Sequence, residues 1–155
     1  MTAQNCAKLM EKTMMMRYAL FVVAALLGGI GRLAAQDAVE MRGISAAIKL
    51  EEVVYGHLHE LNGKYKMRAT EVTFAPDAYL GVHHHVGPGI RYILAGEVTF
   101  TEGGKTTIYK AGDYFFETGN LAHTAHNHTS MPLRVLFVEI LPNNWSTPTV
   151  IPPKP

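Results

Sequence analysis

A chain of 155 residues, 48% hydrophobic with a formal charge of +1, holds the material of one domain and lacks the basic excess that nucleic-acid binding requires. Its one cysteine, Cys6, stands in the N-terminal segment. The rest of the chain therefore has no internal disulfide and no thiolate for metal binding or nucleophilic attack.

In chain order, residues 1–35 read as a secretory leader. Arg17 and Arg32 bracket the uncharged apolar run "YALFVVAALLGGIG", and small residues precede a cleavage point after Ala35. At 14 residues the run is short for a bilayer span, which needs about 20. A start at Met14 to Met16 would make the leader compact. Cleavage would leave 10 basic and 12 acidic residues, a formal charge of −2, and the expected location is secreted or periplasmic.

Residues 36–63 mix helical and strand signals and are expected to form an irregular lead-in with one or two edge strands. From residue 64 to 141 the pattern changes to short β-rich runs split by turn chemistry. "YKMRATEVTF" ends at Pro76-Asp77, "IRYILAG" ends at Gly96, and "EVTFTEGGKTTIY" carries Gly103-Gly104 where a tight hairpin requires glycine. "YFFE", "HTAHN" and "LRVLFVEILP" follow, with no amphipathic helix between them. The reading is all-β, an antiparallel sandwich or barrel. Residues 142–155 are proline-rich and expected to be extended.

The chemistry concentrates in histidine. In "HHH" at 83–85, strand alternation puts His83 and His85 on one face and His84 on the other. The pair stands about 7 Å apart along the backbone, close enough to converge on one ion. A third ligand has to come from another strand, and "HTAHNH" offers His123, His126 and His128.

At these residues the chain resembles the cupin family, over most of 64–141. His83, His85 and Gly96 fall on the first cupin motif, and Gly112, His123 and Asn127 fall on the second at its usual spacing, with Thr118 and Asn120 where a proline and a glycine would stand. Asparagine tolerates the left-handed conformation of such a turn. "HHHVGPGIRYILAGEVTF" followed by "YKAGDYFF" looks like the small single-domain cupin 2 type. The resemblance implies a jelly-roll barrel, or double-stranded β-helix, and one divalent transition metal (Fe, Mn, Ni, Zn or Cu) on His83, His85 and His123. It also implies a small-molecule ligand and a homodimer.

One departure shapes the functional expectation. Where the first motif carries a glutamate ligand, this chain has Gly89, which would leave an ion on three neutral imidazoles and open to water or an anion. Arg91, two residues on and on the same strand face, is the candidate to fill that space and bind substrate, unless it snorkels to the barrel mouth. Glu71, Glu117 and Glu139 could replace the carboxylate, but strand glutamates are expected to face solvent. The leading functional expectation is dioxygenase-type chemistry on a small oxygen-rich or anionic substrate, with a non-catalytic ligand-binding module as the alternative.

Overall fold

The structure, a computed structural model, describes residues 38–153, so the leader expected at 1–35 lies outside the described residues. Among these residues there are nine strands and no helix: β1 (Met41–Val53), β2 (Tyr65–His85), β3 (Gly89–Ala95), β4 (Glu97–Glu102), β5 (Lys105–Lys110), β6 (Tyr114–Glu117), β7 (His123–His126), β8 (Leu133–Pro142) and β9 (Val150–Ile151). They run β5-β4-β7-β2-β8-β3-β6, with β1 and β9 also paired to β2, in a nearly closed antiparallel barrel.

Strand alternation builds the interior. Along β8 the buried positions are Leu133, Val135, Phe137, Glu139 and Leu141; along β3 they are Gly89, Arg91 and Ile93. Val72, Phe74, Leu80, Ile93, Leu133, Val135 and Phe137 form the body of the hydrophobic core. The β4–β5 hairpin turns on Gly103 and Gly104, both at positive φ, as a two-residue turn with matching twist demands.

β2 does not end at Pro76-Asp77 as the sequence suggests. The strand runs on to His85 through a bulge: its register with β1 jumps from Phe74↔Ile44 to Tyr79↔Arg42, and Asp77 takes a left-handed φ of 56°. Turn chemistry here bends a strand instead of ending it. The first half of β2 therefore pairs with most of β1 and with β8, while the second half pairs with the start of β1, with β7 and with β9 and carries "HHH" to the site.

The lead-in is more regular than its mixed signals suggest, because 41–53 form a single long strand on β2. Glu51 on that strand accepts from two buried cations of β2, Lys66 Nζ at 2.7 Å and Arg68 Nε at 2.6 Å. Beyond β8 the tail folds back: Arg68 donates to the carbonyls of Trp145 and Thr147, and β9 pairs with His84 and His85.

Candidate metal centre

His83 and His85 come from the end of β2, and His123 opens β7 directly across the ladder from His83. All three rings are buried, whereas His84 turns to the other face and is half-buried. One ligating atom from each of His83, His85 and His123 lies within 4.8 Å of the others. His83 Nδ1 is 2.7 Å from Gly81 O and His123 Nδ1 is 3.0 Å from Leu121 O. Both Nδ1 atoms therefore carry the proton and donate, which leaves the Nε2 lone pairs free, the arrangement a ligating histidine requires. His83 Nε2 has no hydrogen-bond partner. Burial, with His123 and His85 beside it, pushes the His83 pKa down to about 3. Burial also lowers that of His123, against the opposing pull of Glu117. Imidazoles held neutral in this way keep their lone pairs available to an ion.

The carboxylates are placed otherwise than the sequence suggests. Glu117 and Glu139 do not face solvent: both are buried beside the histidines, and only Glu71 is an outer residue, paired with Arg134. The reason lies at Gly89, which pairs with Glu117 of β6 on one side and with Glu139 of β8 on the other. The motif's missing carboxylate is thus flanked by one from each neighbouring strand. Glu117 lies between His85 Nε2 at 3.2 Å and His123 Nε2 at 3.5 Å. Glu139 Oε1 is 3.2 Å from His85 Nδ1, and its Oε2 accepts from the Thr149 hydroxyl at 2.9 Å. Neither His85 contact is aligned as a hydrogen bond, so this ring is held between two carboxylates without being committed to either. Burial disfavours charge on Glu139, but His85, Arg91 and Thr149 outweigh it and hold the carboxyl below its ordinary range.

Arg91 does occupy the space over Gly89: a Cβ built there would meet its Nη1 at 2.5 Å. It does not snorkel to the mouth. Fully buried, it lies over the Phe137 ring at 4.2 Å and pairs through Nη2 with Glu117 and with Glu139, the latter at 3.2 Å. Its Nε and Nη1 remain without partners. Two buried carboxylates thus share one guanidinium, an arrangement that also favours a cation bound beside them.

The second motif also departs from expectation in detail. The left-handed residue is Gly119, φ 89°, and not Asn120, whose Oδ1 accepts from Thr118. A Cβ on Gly119 would meet Gly87 C at 2.7 Å, while Gly119 O accepts from His85 N. Asn127 is a buried structural anchor that reaches the carbonyls of Ala75 and Met131.

Space beside the donors is small, a void of about 20 Å³ bounded by Phe100, Phe115 and Phe137. That is water-sized. A larger pocket of about 440 Å³ lies between β1, β2, β8 and the tail, and Leu80 and Phe137 line both spaces.

The chain matches the family model for the cupin domain over residues 70–139. A relative from Thermotoga maritima named oxalate-binding protein is 34% identical over 94 residues, which span 58% of this chain and 77% of the relative. Among solved structures, a cupin-2 domain protein from Rhodospirillum rubrum gives a TM-score of 0.50 at 15% identity, covering 74% of this chain and 68% of that one. A cupin 2 conserved barrel domain protein from Salinispora arenicola gives 0.49 at 16%, covering 73% and 88%. At such identities the structural likeness concerns the fold.

Proposed function

The chain belongs to the cupin family, and on that footing we propose that it binds one divalent transition metal through His83, His85 and His123 and uses it to hold a small anion of the oxalate class. The observation that carries this reading is the convergence of three buried imidazoles, His83 Nε2 among them unpartnered, beside two buried carboxylates that share one guanidinium. The donor set fits a borderline ion such as Fe, Mn, Ni, Zn or Cu, and Glu117 is the carboxylate placed to join it. When bound, the ion supplies a Lewis-acidic centre for an anionic ligand.

The protein's own groups do the rest. The two Nδ1 donations fix the rings, and the three phenylalanines exclude bulk water. Arg91 pairs with Glu117 and Glu139, and in this proposal its unpartnered Nε and Nη1 serve as the substrate anchor. A divalent ion adds two positive charges to the site, and that is what draws the anion.

Elemental analysis of the purified protein, followed by oxalate titration of the metal-loaded and metal-stripped forms, tests the proposal. Oxalate heat only in the loaded form supports it. Equal binding in both forms, or none in either, overturns it. Dioxygenase-type turnover is read in the same preparation by oxygen consumption on a panel of small acids and diols.

We further infer a homodimer and an exported protein. The first rests on β1, a 13-residue edge strand exposed along nearly its whole length, with Met41, Ile48 and Leu50 open. Light scattering should give twice the chain mass, and Ile48→Lys should halve it. The second rests on the apolar run at 18–31 between Arg17 and Arg32; a mature N-terminus near Gln36 in mass spectra from the native host is the expected outcome.

A further inference from the structure

A second set of metal donors converges on the outside of the barrel. His126, the last residue of β7, and His128 stand two apart, and the buried Asn127 between them fixes both. Its backbone N–H donates to Ala78 O, its side-chain amide donates to Ala75 O and Met131 O, and its Oδ1 accepts from Thr129. The same bonds clamp the bulge of β2. Asp77 sits on that bulge with its left-handed φ, which an aspartate tolerates and which presents its carboxylate to the two rings. His126 Nε2 lies 3.1 Å from Asp77 Oδ1, and the His126 and His128 ring centroids are 3.6 Å apart.

We propose that Asp77, His126 and His128 form a separate outer site for a divalent transition ion of the Zn²⁺, Ni²⁺ or Cu²⁺ class. One ligating atom from each lies within 4.8 Å of the other two. Donors bound at ~2.1 Å to one ion stand at most about 4.2 Å apart, so closing the set takes only a small rotation of Asp77 or His128. Both are exposed and free to make it. Two imidazoles and one carboxylate suit a borderline ion and not Ca²⁺ or Mg²⁺, which require a mostly oxygen shell. Water takes the remaining positions. The proton that His126 Nε2 donates to Asp77 moves to Nδ1 on binding, so no net charge is left on the ring. The site shares no ligand with the barrel interior, so it stands whether or not His83, His85 and His123 hold an ion.

The test is equilibrium dialysis of untagged, chelator-stripped protein against Zn²⁺ alone, with metal content measured. The outer ion is expected to survive in His83→Ala/His123→Ala and to be lost in His126→Ala/His128→Ala. Asp77→Asn keeps both the shape and the tolerance of positive φ, and should weaken the outer ion by at least the roughly tenfold that even an outer-sphere partner is worth. Zn²⁺ content in His83→Ala/His123→Ala that falls to zero, or outer binding unmoved by all three outer substitutions, overturns the proposal.

Discussion

Glu139 stands opposite Gly89 across the β8–β3 ladder, and its Cγ lies 3.0 Å from where a Cβ on that glycine would be. The loss of a carboxylate at position 89 and the presence of buried carboxylates on the flanking strands are thus one arrangement: the glycine makes room for Arg91 and Glu139, and Arg91 holds Glu139 and Glu117 in place. Restoring the motif residue by Gly89→Glu should therefore not tighten metal binding. The backbone there has an ordinary φ, but a Cβ would meet Val138 O at 2.6 Å and Arg91 Nη1 at 2.5 Å. Even Gly89→Ala is expected to cost about 1–3 kcal/mol by overpacking, read from urea denaturation of the metal-free protein. An unchanged midpoint would mean that β3 and β8 can separate without cost.

The register of "HHH" gives a second prediction. His83 and His85 share the buried face with His123, while His84 faces away beside β9. His83→Ala, His85→Ala and His123→Ala should each remove the interior ion in elemental analysis of a protein that also carries His126→Ala and His128→Ala. His84→Ala on that background should leave one equivalent bound. Loss of metal with His84→Ala alone would show that the ligating face is the opposite one.

Much of this was legible in the sequence, and the parts that were not have physical causes. The hairpin at Gly103-Gly104 and the strand at 133–142 follow from turn chemistry and alternation, and the convergence of His83, His85 and His123 is what the cupin resemblance implies. Glu139 was legible too: in "LRVLFVEILP" it shares the phase of Leu133, Val135, Phe137 and Leu141, all buried. Treating strand glutamates as solvent-facing by residue type overrode that phase. Glu117 follows the continuous aromatic run Tyr114-Phe115-Phe116, which has no alternation to read. Its place beside Gly89 appears only once β6 is paired with β3. Nor does any local signal show that Pro76-Asp77 bends β2 instead of ending it, because that depends on Asn127, 50 residues downstream, holding the bulge.

Stability should depend on pH through Glu51. Hydrogen bonds from Lys66 and then Arg68 hold its carboxyl below the usual range, so its pKa is lower folded than unfolded. The stability this contributes is present above the unfolded value of about 4.3 and is lost as pH falls through the folded one. Glu51→Gln is therefore expected to lower the Tm at neutral pH, because two buried cations lose their partner, with the gap to the parent protein closing in acid. A gap that stays constant down to pH 3 would show that the pair contributes through shape and not charge.

Arg91 supplies the last prediction. It is fully buried and pairs with both Glu117 and Glu139, so Arg91→Ala leaves two desolvated carboxylates with no guanidinium between them. Breaking a buried pair from one side typically costs about 3–5 kcal/mol, and the metal-free variant should lose that much in denaturant unfolding. The same change removes one buried positive charge from beside the carboxylates, so a divalent ion should bind the variant more tightly than the parent and raise its Tm further. If Arg91 also anchors the ligand through Nε and Nη1, the metal-loaded variant should keep its ion while losing oxalate affinity, and the two measurements separate these roles. A metal-free variant as stable as the parent would mean that Glu117 and Glu139 take up protons or water at no cost. The guanidinium would then not be what holds them in place.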